Sequence, residues 1–371
     1  MNEALQKTLT LLLLIGLGLL LRAKFKNKEY VNGIKQIVLT VALPATIFIA
    51  LLKIELNAKM IFVPLAALAF NFIMFAFMPL ILKGMGIERK SATGRTLTML
   101  VPSLAPGLSC FPFIAEFLGE QGLALAALAD VGNKFFVLIF LYIVAMNMFL
   151  SNNTSEQSNL GAKVKSLLMS LISEPINMVL FAALILLGLG INYTSLPVFI
   201  QGIFDKTSAT MTPLVLIFIG LAVQLKEGKK RLVISVLFTR AGLTLLFSAL
   251  LITLFQITEP TMILLTVVLP LSSVSFWPFA HISVFNLQEE EKKVAEDKRT
   301  FDAKLAVLVL AFSLPFSTLL ILSILTAGNY FTHVNTLAFT GLAMTAVGIV
   351  PRLLYSKVIL PSLNKAVNAD A

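Results

Sequence analysis

Charge is scarce in this chain. Asp, Glu, Lys and Arg make up 13% of its 371 residues, against about 25% in soluble domains. There is one cysteine, Cys110, which excludes an intramolecular disulfide and a thiolate metal site. The two histidines, His281 and His333, lie far apart and give no metal-ligand spacing. No paired carboxylates of a soluble cleft, no Cys-His pair and no phosphate-cradling glycine loop occur, so neither an enzyme nor an ATP-driven pump has support, and no resident cofactor or metal is expected. What is abundant is apolar: 58% of the residues are hydrophobic, in repeated runs of roughly twenty, the length that crosses a bilayer. The class is an all-α polytopic membrane protein with the lipid bilayer as its surroundings. The net charge of +10 sits in short loops between these runs, where it sets topology and gives no case for a nucleic-acid partner.

Ten spans are expected, at residues 4–21, 34–52, 60–82, 96–118, 123–150, 176–191, 210–225, 232–255, 261–285 and 305–326. Residues 337–350 form a shorter apolar stretch, read as an eleventh span or an interfacial helix. Span 1 resembles a signal peptide in having Lys7 before an apolar core, but Arg22, Lys24, Lys26 and Lys28 follow it with no small-residue cleavage site. That basic cluster belongs in the cytoplasm, which puts the N-terminus outside. Loops after the odd-numbered spans are rich in Lys and Arg and loops after the even-numbered ones are poor, as one consistent orientation requires.

Two spans cannot be unbroken helices. Span 4 contains Pro102, Pro106, Gly107 and Pro112 within Leu100–Phe113; span 9 contains Pro270 and Pro278 within Leu269–Phe279. Each proline removes a backbone donor and clashes one turn back, and freed backbone groups inside a membrane must be buried in protein or line a wet cavity. Interrupted spans at corresponding places of two halves point to a secondary-transporter binding site. The halves also match elsewhere. Leu43-Pro44 in span 2 corresponds to Thr212-Pro213 in span 7, and Ser109…Pro112-Phe113 to Ser275…Pro278-Phe279. An odd number of spans per copy inserts the second copy upside down. The expected organisation is a first five-helix repeat (1–150), a linker (151–172), an inverted second repeat (173–327) and a C-terminal extension (328–371).

Candidate residues follow from these breaks. Half-helix N-termini suit a carboxylate without any full charge nearby, and Ser103, Ser109, Ser272, Ser273 and Ser275 add hydroxyls. The substrate-binding candidates are Pro106, Gly107, Ser109, Cys110, Pro270, Ser272, Ser273, Ser275 and Trp277, with Pro102, Pro112 and Pro278 as further helix breaks. Ser109 and Ser275 are read equally as cargo contacts and as satisfying their own helices or packing neighbours, and for Ser103, Ser272 and Ser273 the second reading is favoured. In span 5, Asp130 and Lys134 stand one turn apart with Asn133 between them. Ionisable groups inside a membrane are functional candidates, and these three are the charge-coupling set, through which proton coupling would run; a permanent structural pair is the alternative. Arg240 in span 8 reads as snorkelling to headgroups or pairing in the scaffold, Asn71 as a helix–helix hydrogen bond and His281 as a satisfied interface histidine. The run Glu289–Arg299 reads as a solvated loop.

Taken together, Leu43-Pro44-Ala45-Thr46-Ile47-Phe48, Pro106-Gly107-Leu108-Ser109-Cys110-Phe111-Pro112-Phe113 followed by Gly119-Glu120-Gln121-Gly122, the region Glu174–Leu225, and Leu269-Pro270 resemble the auxin efflux carrier family, the PIN-like membrane transporters. The resemblance reaches to about Leu325. It implies ten helices in two inverted five-helix repeats, with spans 4 and 9 unwound and crossing at the centre. It also implies a mobile transport domain beside a scaffold, an organic anion as cargo, a homodimer through the scaffold, and an inner (plasma) membrane location. Export is favoured over import on this resemblance alone. The bile acid:sodium symporter family shares that architecture. Ala105 and Ser275 stand where the PIN-like family usually has asparagine, and residues 269–285 lack the carboxylate of the sodium symporters, which argues against a sodium site. The expected function is a secondary transporter of small organic anions; the alternatives are a sodium-coupled symporter and a transporter-derived sensor that binds without translocating.

Overall fold

A computed structural model describes residues 3–25, 27–53, 62–152, 165, 169, 172, 173, 175–222 and 229–354. Most of the expected linker (153–164, 166–168, 170 and 171), the basic positions Lys26 and Lys226, and the chain after 354 lie outside the described residues. Among the described residues there is no strand, and helices account for nearly all of the chain. Seven helical stretches are long and apolar enough to cross a membrane: 29–52, 62–84, 111–152, 198–222, 230–254, 303–332 and 334–352. Two shorter apolar helices, Leu5–Leu21 and Pro175–Gly188, join them. The protein is therefore a multi-pass helical membrane protein.

Its polarity is that of a protein dissolved in lipid. Leu13, Leu20, Leu80, Ile185 and Phe339 are exposed, whereas Asp130, Asn133, Lys134 and Arg240 are buried. Hydrocarbon accepts the first group and excludes the second.

The first helix, α1 (Glu3–Leu21), packs against α11 (Met211–Ala222). Small residues set the spacing: a Cβ on Gly18 would stand 2.2 Å from the Ile217 carbonyl oxygen, and one on Gly220 2.2 Å from that of Ile15. Helix α2 (Lys28–Ile37) is capped by Asn27, whose side chain accepts from the Glu29 N–H, and runs through a widened π turn (Val38–Ala42) into α3 (Leu43–Leu52). Pro44 explains the widening, because its ring would clash with the carbonyl one turn back in a regular α-helix. Helix α3 packs on α9 (Pro175–Gly188) and on α10 (Val198–Ala209), with Phe48 stacked on Phe204 at 4.2 Å between centroids. Helix α10 occupies what reads in the sequence as a connection between spans 6 and 7; Asp205 and Lys206 interrupt its apolar pattern.

Helix α4 (Phe62–Gly84) lies against α7 (Phe111–Phe135). Gly119, at φ 70° and ψ −169°, kinks α7 at the expected boundary between spans 4 and 5. Only glycine adopts that backbone without strain. Helix α8 (Leu141–Asn152) continues span 5 after a second π turn.

The eleventh apolar stretch is a full helix, α16 (Val334–Leu354). It lies along α12 (Lys230–Leu254) with the two backbones nearly touching: Cβ atoms on Gly242 and Gly348 would overlap Thr345 and Thr239 respectively. The Ser235 hydroxyl donates to the Gly348 carbonyl. Close approach through small residues is how helices associate in lipid, where burying apolar surface gains nothing.

One expectation is overturned in the stretch between spans 9 and 10. The stretch Glu289–Arg299 is not wholly solvated. Helix α14 (Phe276–Glu291) extends into it, and Glu289 is buried, accepting from the Thr300 N–H at 2.9 Å and the Thr300 hydroxyl at 2.6 Å. Two donors of one residue, the N–H shared between both carboxylate oxygens, make the burial of the carboxylate tolerable.

Candidate functional site: a cavity between two helix breaks

Span 4 consists of α5 (Ala92–Leu100), a non-helical stretch 101–105, the single turn α6 (Pro106–Ser109), and the start of α7. Span 9 consists of α13 (Pro260–Val268), a non-helical stretch 269–275, and α14. The prolines divide into two kinds. Pro102 and Pro270 sit in the unwound segments and leave carbonyls without their helical donors. Pro106, Pro112 and Pro278 fall in the first turns of new helices, where a missing N–H costs nothing.

Backbone groups at the two breaks find the following partners. The carbonyl that Pro270 deprives of a donor, Thr266 O, accepts from the Ser248 hydroxyl at 2.9 Å. Val268 O accepts from the Cys110 thiol at 3.4 Å. Asn133 takes both groups of Leu104: its Oδ1 accepts from the Leu104 N–H at 3.2 Å and its Nδ2 donates to the Leu104 carbonyl at 3.0 Å. Arg240 meets the first break from α12, donating through Nε to Val101 O at 2.9 Å and through a terminal nitrogen to Ser103 O at 3.0 Å. Its side chain does not snorkel; it is buried.

The two breaks bond to each other. The Ala105 N–H donates to the Ser273 carbonyl at 2.8 Å, the Ser273 N–H to the Ser109 hydroxyl at 2.9 Å, and the Ser275 N–H to the Ser103 hydroxyl at 3.0 Å. The Val274 N–H donates to the Ser313 hydroxyl on α15 (Ala303–Ala327) at 3.3 Å. These serines are thus committed to backbone. The Ser275 hydroxyl also accepts from the Trp277 N–H at 3.3 Å, capping α14.

A cavity of about 340 Å³ opens beside this junction. Pro106, Gly107, Ser273, Ser275 and Trp277 lie on its wall; Ser109, Cys110, Pro270 and Ser272 do not. The Ser272 hydroxyl is buried and has no hydrogen-bond partner among the described residues. Asp130, Asn133 and Lys134 also line it. Asp130 and Lys134 pair at 3.4 Å, Asn133 donates to Asp130 at 2.8 Å, and Lys134 donates to Asn177 of α9 at 3.2 Å. Asn71 donates to Asn133 at 3.1 Å, a helix–helix bond, and His281 bonds the Val137 carbonyl at 2.9 Å, a satisfied interface histidine.

Sequence reasoning missed one residue. Lys35 of α2 lines the cavity, with its ammonium 5.1 Å from the centroid of the Phe276 ring. No carboxylate stands within ion-pair distance of it among the described residues. The signal was present, since Lys35 falls one residue inside span 2 as expected from the sequence (34–52). With Asp130 and Lys134 offsetting each other, Lys35 leaves the cavity one positive charge in excess. Phe276, Trp277 and Phe218 give the rest of the wall an aromatic character.

No protein-family model matches the chain, and no curated protein sequence matches it either.

Proposed function

We propose that the chain is a secondary transporter of small organic anions, resembling the PIN-like carriers, embedded in an inner membrane with its N-terminus outside. The observation that carries this reading is Lys35, a cation without a counter-carboxylate among the described residues, on the wall of a cavity bounded by two helix breaks. A cavity of about 340 Å³ is of the size that takes a small molecule. One excess charge suits a monocarboxylate, and the aromatic wall suits an apolar body on it. The first turn of α14 is also on the wall, where the positive end of a helix dipole favours an anion.

In this reading spans 1–5 and 6–10 are inverted repeats whose broken members, spans 4 and 9, cross near the bilayer centre. The exchanged pairings support it: α1 of the first half packs on α11 of the second, and α9 of the second on α3 of the first. The contacts between the breaks support it too, since each break donates to the other: the Ala105 N–H to the Ser273 carbonyl and the Ser275 N–H to the Ser103 hydroxyl. Alternating access would then rock the unit bearing the breaks against the unit of α1, α3, α9 and α11. A homodimer through that second unit is part of the proposal.

The test is counterflow in proteoliposomes with radiolabelled phenylacetate as probe. Wild type exchanges it, and Lys35→Gln slows exchange by an order of magnitude while Lys35→Arg retains it. Binding without exchange would favour a sensor derived from a transporter, and exchange that requires sodium would favour a sodium-coupled symporter.

A further inference from the structure

Arg240 is a buried cation. Its guanidinium meets the Val101 and Ser103 carbonyls, at the end of α5 where the unwound stretch begins. No acid lies within ion-pair distance of it among the described residues. A full charge inside a membrane protein is costly unless something of opposite sign receives it. Here the receiver is the negative end of a half-helix and the carbonyls its interruption has freed. In discontinuous-helix transporters these same groups, unwound carbonyls and half-helix C-terminal ends, are the ones that coordinate a dissociable cation.

We propose that Arg240 is a resident cation for the first break, filling with a tethered guanidinium the place where a bound alkali cation would stabilise the unwound carbonyls. The inference rests on the carrier reading above and deepens it: assembly of the cargo site does not depend on sodium. The second break shows the contrast. Its freed carbonyl, Thr266 O, is met by a neutral donor, the Ser248 hydroxyl, and Val268 O is met by the Leu271 N–H and the Cys110 thiol. Arg240 is a positioning residue, since it lies behind the first break and does not line the cavity. It holds Val101–Ser103 in the shape from which Leu104, Ala105 and Pro106 reach the cavity wall. Guanidinium suits the task because its planar fork reaches two carbonyls at once and it keeps its charge when buried.

The experiment uses the purified full chain. Its thermal unfolding is followed in choline chloride, lithium chloride and sodium chloride at equal ionic strength, and phenylacetate counterflow is measured in the same salts. Wild type is expected to unfold and exchange alike in all three. Arg240→Ala is expected to unfold about 5 °C lower and to recover part of that loss in millimolar guanidinium chloride or in sodium. Arg240→Lys, which keeps a point cation, is expected to stay indifferent to sodium. The proposal is overturned by a wild type that sodium stabilises, by an Arg240→Gln variant that behaves as wild type, or by an Arg240→Ala variant that neither guanidinium nor sodium restores. Should wild type exchange no phenylacetate, the carrier reading is what fails. The unfolding series still decides the role of Arg240.

Discussion

Asn133 holds both backbone groups of Leu104, accepting from its N–H and donating to its carbonyl, while the same amide donates to Asp130. One side chain therefore ties the unwound part of span 4 to the buried charge pair of span 5. Asn133→Leu, close in volume, orphans both Leu104 groups and removes a partner from Asp130. At about 1–3 kcal/mol for each unsatisfied group, a loss of several kcal/mol is expected, read as a lower unfolding temperature. Phenylacetate binding, followed by ligand-induced stabilisation, is expected to weaken with it.

On the carrier reading proposed above, the Asp130–Lys134 pair is where proton coupling would run. Asp130→Asn preserves the shape of the carboxylate and one acceptor for Asn133, but cannot take up a proton. Counterflow measured across the acidic to neutral range should therefore lose its pH dependence in Asp130→Asn. An unchanged profile would leave the pair with a structural role only.

Gly18 and Gly220 set the separation of α1 and α11. A methyl group at either position would stand 2.2 Å from a carbonyl oxygen of the other helix, so Gly18→Ala and Gly220→Ala should each cost about 1–3 kcal/mol. Gly16, two residues away on α1, has nothing within 4 Å of the equivalent point. Gly16→Ala should be neutral or stabilise by about 0.5–1 kcal/mol. The contrast in unfolding temperature among the three variants is the measurement.

Glu259 caps α13, accepting from the Thr261 N–H at 2.9 Å and the Met262 N–H at 2.6 Å. Burial would raise its carboxyl, but these amide donors and the Thr261 hydroxyl outweigh it and hold the group below the usual carboxylate range. A depressed folded-state value means that the cap stabilises the fold above the unfolded value, about 4.3. That contribution is lost as pH falls through the lower folded value. Glu259→Gln should flatten this acid loss, and Glu259→Ala should cost about 1 kcal/mol at neutral pH, both read by thermal unfolding against pH.

The legible parts of this molecule are those governed by local rules. Clustered prolines are hard to keep in one helix, so Pro102 and Pro270 marked the unwound segments, while the single prolines Pro79 and Pro315 stay inside α4 and α15. Residues one turn apart share a helix face, so Asp130 and Lys134 were readable as a pair. What escaped depends on distant neighbours. Arg240 read as a snorkelling residue because nothing near it in sequence shows that α12 passes behind the first break. Glu289 read as solvated because the groups that satisfy it belong to Thr300, across a turn. Lys35 was overlooked because it follows a basic loop and sits at the edge of an apolar run, where a lysine usually reaches for headgroups. The serines were legible as a cluster at the breaks, but their division between cavity wall and backbone stitching depends on how the two breaks meet.

The contacts of Gly242 with Thr345 and of Gly348 with Thr239 leave no gap for an acyl chain between α12 and α16 at those positions. Any displacement of α12 must carry α16 along as one body. A fluorophore at Phe339, which faces outward from α16, would consequently report on the helix that bears Arg240 without entering the cavity.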